Sequence, residues 1–245
     1  MGRGHRGRHQ RPGPGPQELQ ARSWAVRQLH AAADLSRAIT TGIQTLADTE
    51  RVLGPDHPDT LTSRSDLAGA YESAGRLGQA IPLYEQTLAD YERVLGPDHP
   101  QTLGSRNNLA NAYEEAGRRE QAIPLYEQTL ADRERVLGPD HPHTLTSRNN
   151  LAAAYQVAGR PEQAIPLFEQ TLADRERVLG PDHPDTLISR HNLAYTYQEA
   201  GRLDQAIPLY EQTLADRERV LGPDHPDTLT SRNNLERARI ENPSG

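Results

Sequence analysis

The string Leu-Gly-Pro-Asp-His-Pro begins at Leu53, Leu95, Leu137, Leu179 and Leu221, a strict spacing of 42 residues. Between these marks the chain returns to Ser-Arg-Asn-Asn-Leu-Ala, then Tyr, then Ala-Gly-Arg, then Gln-Ala-Ile-Pro-Leu-Tyr-Glu-Gln-Thr-Leu-Ala-Asp, with few changes. A chain with this period is built from small units that cannot bury an apolar face alone, so stacking of neighbours must supply the core. The composition agrees. Of 245 residues only 34% are hydrophobic and 4% aromatic, too little bulk for one large core. The period divides the chain into a segment 1–16, an imperfect copy 17–54, four full copies (55–96, 97–138, 139–180 and 181–222) and a closing segment 223–245.

Each copy reads as two helices. In the second copy Leu103, Leu109, Ala110, Tyr113 and Ala116 recur at helical spacing. Asp98 or His99 can cap this helix, with Pro100 at an early position where its missing N–H costs little. Gly117 suits its C-terminal end. Ala122, Ile123, Tyr126, Leu130 and Leu137 line the second helix. Pro124 lies about a turn inside it, which predicts a late start or a small kink rather than a break. Gly138-Pro139 then stops it. The expected fold class is therefore all-α, an α-solenoid of helix pairs.

The ends differ. Residues 1–16 carry Arg3, Arg6, Arg8 and Arg11 among glycines and prolines with no acid, the composition of a solvated, disordered tail. In 17–54 Ala25, Val26, Leu29, Ala38, Ile39, Leu46, Val52 and Leu53 keep the register, but Gly42 replaces the second-helix Tyr. At the other end Glu236 and Arg239 stand where other copies have Ala and Tyr, as a polar capping helix requires.

Several function classes are excluded or disfavoured. The chain has no Cys, which removes disulfides, zinc-thiolate sites and cysteine nucleophiles. It has no Lys, which removes a P-loop lysine and Schiff-base chemistry. This all-Arg, Ala/Gly/Pro-rich usage points to a high-GC genome. The net charge of −7 disfavours nucleic acid and anionic membranes as partners. No run reaches the ~20 apolar residues of a membrane span, and no secretory signal is visible, so a cytoplasmic location is expected.

Leu109-Ala110, Tyr113, Gly117, Ala122, Tyr126 and Leu130 carry a resemblance to the tetratricopeptide repeat. The 42-residue period, Asn-Asn-Leu-Ala and the Gly-Pro-Asp-His-Pro loop are similar to its kinesin-light-chain variety, which also occurs in bacterial arrays. The resemblance covers about 19–240. It implies a right-handed superhelix whose first helices line a concave groove, and a non-enzymatic protein–protein interaction scaffold. One position departs from the family. A bulky aromatic is common early in the first helix, whereas here Arg64, Arg106, Arg148, Arg190 and Arg232 occupy it, and each guanidinium must reach an acid or solvent.

Three sets of residues could carry chemistry. His57, His99, His141, His183 and His225 form a ladder, but metal ligands lie ~2 Å from one ion while packed helices sit ~8–10 Å apart. Cap chemistry explains them better, and no metal or cofactor is expected. Glu114, Glu115, Glu127, Asp132 and Glu134 occur in mixed-charge runs typical of a solvated helix face, without the desolvated pocket that paired catalytic carboxylates need. The third set is the groove. The resemblance places Asn107-Asn108, Asn149-Asn150 and Asn233-Asn234 there, with Asp66 and His191-Asn192 in the other copies. Asn offers donor and acceptor, so it can pair with the backbone of an extended peptide.

Variation among copies adds to the groove set. The second and third copies differ at seven of 42 positions, and the first-helix differences include Asn111/Ala153, Glu114/Gln156 and Glu115/Val157. The fourth copy has Tyr195, Gln198 and Glu199 there. Some family members clamp a C-terminal carboxylate with first-helix Lys and Arg. The matching positions here, among them Thr62, Gly104, Thr146 and Ile188, carry no fixed positive charge. With Asp66, Glu72, Glu114, Glu115 and Glu199 on the same helices, the expected partner is a neutral to basic peptide. Two other readings stand beside this one: a sensor module of a bacterial signalling ATPase of NB-ARC/STAND type, and a scaffold that self-associates through its N-terminal face, where Trp24 and Leu29 lie.

Overall fold

The structure, a computed structural model, describes residues 14–242. The charged N-terminal segment expected to be disordered lies almost wholly outside them. Among the described residues there are eleven helices and no strand: α1 (Pro16–Ala31), α2 (Leu35–Leu53), α3 (Pro58–Ser73), α4 (Leu77–Leu95), α5 (Pro100–Glu115), α6 (Arg119–Leu137), α7 (Pro142–Val157), α8 (Pro161–Leu179), α9 (Pro184–Glu199), α10 (Leu203–Leu221) and α11 (Pro226–Glu241). They group into two compact units, Met1–Ala112 and Tyr113–Gly245. In the first, α1 packs on α2, α2 on α3 and α3 on α4, and α1 also meets α3. In the second, consecutive helices from α6 to α11 pack pairwise and α7 meets α9. The chain is thus an all-α solenoid of helix pairs.

Local chemistry sets the helix limits. The loop histidines are caps. His57, His141, His183 and His225 each precede a proline at the first helical position, and Nδ1 accepts the backbone N–H two residues on, at 3.1–3.2 Å. His99 does the same for Gln101 at 3.2 Å. Helix ends use backbone conformations that glycine tolerates. Gly117 has φ +72°, and Gly138 has φ 88° with ψ 161°, a region that is essentially glycine's alone. The imperfect first copy breaks this rule with Ala33 at φ 58°. It compensates one residue later, where Asp34 accepts the Arg37 N–H and caps α2. Pro124 does not break its helix, as expected, and of the two accommodations expected there the late start does not occur. The helix begins at Arg119 and runs through the proline, which lies on the exposed face.

The core is a stack of small contributions. Leu61, Leu103, Leu145 and Leu187 are buried at one level, Ala68, Ala110, Ala152 and Ala194 at another. Tyr84, Tyr126, Phe168 and Tyr210 come from the second helices. Each large side chain contributes ~1.5–3 kcal/mol by leaving water.

The arginine that replaces the family's aromatic is also core. Arg64, Arg106, Arg148 and Arg190 are at most 1% exposed. Arg148 donates to Glu134 on α6 at 2.9 Å and to Asp174 on α8 at 2.7 Å. Arg190 repeats this with Glu176 and Asp216 (2.8 and 2.6 Å), and Arg64 with Glu50 and Asp90 (3.3 and 2.6 Å). Arg106 donates to Glu92 at 3.0 Å. One guanidinium therefore ties the second helix of the preceding copy to that of its own. Arg232 holds Glu218 at 2.7 Å and is partly exposed.

Candidate peptide-binding face

The first helices present a strip of half-buried polar residues between their buried core positions. In the first unit Asp66 lies on α3 and accepts from Arg27 of α1 at 2.9 Å. Burial raises its pKa, and Arg27 opposes that shift. One turn further, His30 Nε2 and Ser73 Oγ lie 2.7 Å apart. Gln20, Ser23, Arg27, Asp59 and Thr62 line a cavity of about 260 Å³ on these two helices. Asn107, Asn108 and Asn111 are half-buried on α5.

In the second unit the strip runs along α7, α9 and α11. Asn149 and Asn150 are half-buried, and Asn149 Oδ1 is buried with no hydrogen-bond partner. His191 and Asn192 occupy the same places on α9. His191 Nε2 lies 3.3 Å from the Asn234 amide and its ring meets Tyr210 edge-on at 5.8 Å, while Nδ1 is buried and unbonded. Burial and the nearby Arg217 push its pKa down to about 4, so it is neutral at physiological pH. Tyr195 is half-buried beneath the Arg237 guanidinium at 5.8 Å. Asn233 is exposed.

Some of the variable positions have internal partners. Glu114 accepts the Tyr126 hydroxyl at 2.8 Å, as Glu72 accepts that of Tyr84 at 2.6 Å. Gln198 is buried, accepts from Tyr210 at 3.0 Å and donates to Glu241 at 2.7 Å. In the third copy the aromatic is Phe168, which has no hydroxyl to give Gln156. The Glu/Gln variation at this position therefore bears on packing within each helix pair. Glu115, Val157 and Glu199 remain exposed beside it.

Three residues that bond the first helices were not among those read from the sequence. Arg133, Arg175 and Arg217 lie near the ends of α6, α8 and α10, at the position where the first full copy has Tyr91. All three are buried, at 5–7% exposed. Tyr91 Oη meets Thr62 Oγ1 at 3.3 Å. The available signal was that single tyrosine-to-arginine change between copies.

Among the described residues no group of three or more His, Asp or Glu is placed to hold a metal ion, and no helix is long and apolar enough to cross a membrane.

Known proteins agree with this architecture. The tetratricopeptide repeat family model matches residues 20–93, 73–135, 105–177, 148–218 and 191–241. The chain belongs to the tetratricopeptide repeat family, whose members generally serve as protein–protein interaction modules. The nearly identical TPR-like repeats of a kinesin-light-chain protein from Podosopora anserina are 33% identical, with 84% of this chain and 97% of that one covered and a TM-score of 0.75. A Q17M form of those repeats gives 32% identity, 86% and 99% coverage and a TM-score of 0.78. BtubC (BKLC) from P. vanneervenii shares the fold at 23% identity, covering 85% of this chain and 84% of that one, with a TM-score of 0.73. No curated protein matches the sequence.

Proposed function

We propose that the chain is a non-enzymatic scaffold or adaptor, cytoplasmic, that holds an extended peptide against its first-helix face. One observation carries this reading. Asn149-Asn150 and His191-Asn192 sit at equivalent, half-buried places on two helices that pack together, so partly exposed amide side chains recur in register along that face. An amide in that position can pair with a passing main chain whatever its sequence, while exposed Glu115, Val157 and Glu199 differ from copy to copy and select side chains. With acids at Asp66, Glu115 and Glu199, the preferred peptide is neutral to basic overall.

A lysate pull-down with two matched baits tests this. One bait is the wild-type chain. The other carries Asn108→Ala, Asn150→Ala and Asn192→Ala and is checked for unchanged helicity by circular dichroism. A partner held by the first and lost from the second supports the reading. Equal retention by both moves binding to another surface. A second reading, self-association through the N-terminal face, is favoured by Trp24, which is 59% exposed on α1. Light scattering that reports a concentration-independent monomer near 27.2 kDa disposes of it.

A further inference from the structure

Two sets of buried arginines lie at the helix junctions, and only one is neutralised. Arg148 and Arg190 each bridge two carboxylates. Arg133, Arg175 and Arg217 have none. Nη1 of Arg175 donates to the Asp185 carbonyl at 3.0 Å and to Ser189 Oγ at 2.7 Å. Arg217 does the same with the Asp227 carbonyl (3.0 Å) and Ser231 (2.7 Å), and Arg133 with the His143 carbonyl (3.1 Å) and Ser147 (2.6 Å). Among the described residues no carboxylate forms an ion pair with any of the three. Arg175 Nε is buried without any hydrogen-bond partner. A buried cation held only by neutral acceptors is costly, and the cost falls when an anion arrives.

Geometry gives an anion a route. Arg217 lines a cavity of about 220 Å³ whose walls are Pro184, Leu187, Ile188, Val220 and Leu221, with His225 and the exposed Asp227 at its edge. Ile188 is 44% exposed and precedes Asn192 by four residues, so the cavity opens one helical turn away on the proposed peptide-binding face. Aliphatic walls lower the local dielectric and strengthen a charge-assisted bond at the floor.

We propose that Arg217, with its equivalents Arg175 and Arg133, forms the floor of an anion subsite that takes a carboxylate of the bound peptide beside an aliphatic side chain. The subsite rests on the peptide-binding reading above and deepens it. The ligand is neutral to basic overall but carries one acidic group in register with the arginines. These arginines come from second helices and are distinct from the first-helix positions around Thr146 and Ile188, which carry no cation. Burial pulls the pKa of all three guanidinium groups down, and Asp185 and Asp227 oppose that at Arg175 and Arg217.

The test uses the full chain with ¹⁵N-labelled arginine, following Nε–Hε resonances by NMR. Arg133→Tyr, Arg175→Tyr and Arg217→Tyr assign them. The chain itself carries tyrosine at this position in Tyr91, so these variants should fold, and circular dichroism checks each. Three acetylated decapeptides of Ala, Ser and Leu are titrated at matched ionic strength. One has an internal Glu and an amidated end, one has Gln and a free C-terminal carboxylate, and one has Gln and an amidated end.

The expected result is a saturable shift of the three resonances by a carboxylate peptide, roughly tenfold tighter than by the neutral one and absent at the substituted residue. Activity of the Glu peptide identifies a side-chain carboxylate as the source. Activity of the free-ended peptide alone identifies a chain terminus. Identical behaviour of all three peptides, or no shift with any, overturns the subsite. A pull-down partner retained by the Arg217→Tyr bait but lost from the triple-Asn bait overturns the subsite while leaving the peptide-binding reading intact.

Discussion

The two units close the same junction with different chemistry. In the first, the position near the end of each second helix is neutral. Thr49 donates back to the Leu46 carbonyl, and Tyr91 meets Thr62. Ser63, on the following helix, then bonds Ser23 and the Asp59 carbonyl. In the second unit that position is arginine three times over, and the equivalent serines Ser147, Ser189 and Ser231 accept from it. The backbone plan tolerates threonine, tyrosine or arginine, so the arginine is not needed to close the junction. The bridging arginine one layer away is different. It is present in every full copy, and the acids it holds come from second helices of consecutive copies.

That contrast predicts how unequal the two arginines are. Arg148→Met strips Glu134 and Asp174 of their buried partner and should cost about 3–5 kcal/mol, read as a lowered urea midpoint. A loss under 1 kcal/mol would place the bridge among ordinary surface pairs and erase the distinction. A smaller effect comes from His191. Its folded pKa lies near 4, below the ordinary value of about 6.5, so the unfolded chain binds the extra proton first. Stability is full above pH 6.5 and falls by at most about 3 kcal/mol as pH drops to 4. His191→Asn, the residue of other copies, should flatten that segment of a melting-versus-pH curve; an unchanged curve assigns the loss to other groups. The smallest effect is Arg175→Tyr, expected within about 1 kcal/mol of wild type or slightly stabilising, because it removes an unneutralised buried cation. A drop of several kcal/mol in the same denaturation assay would make this arginine structural too.

Much of the architecture is legible in the sequence because the period repeats each weak signal several times. The Pro-x-x-Leu starts, the Gly117 stop and the faces through Leu109, Tyr113, Ile123 and Tyr126 all hold. Leu137 and Ala116 are only half-buried, since Leu137 ends α6 and Ala116 lies just past the end of α5, where neighbours thin out. The cap role of the histidines also follows from sequence, because equivalent positions of stacked copies cannot converge. What sequence does not disclose is where a charged side chain goes inside a stack. Arg148 looks like a packing defect until Glu134 and Asp174, 14 and 26 residues away, fold onto it. Likewise Glu72 and Glu114 read as solvent-facing acids, but a tyrosine hydroxyl twelve residues on occupies each. The arginines of α6, α8 and α10 escape notice for the same reason. They lie in a mixed-charge run, Asp-Arg-Glu-Arg, in which one arginine turns inward and the other stays outside.

The bridging arginine has a consequence for how such a chain can change length. Its two acids lie at fixed offsets, one in the copy before and one in its own, and they are the same residue types in every full copy. Excision of residues 139–180 would leave Arg190 facing Glu134 in place of Glu176, with Asp216 unaltered. The interlock checks register but is blind to which copy supplies the partner. Loss or gain of whole 42-residue blocks therefore preserves every internal clasp, whereas a block of any other size strands a buried charge. An array fastened this way can be lengthened or shortened by recombination between its own copies, and the folding requirement itself filters out unequal exchanges that miss the frame.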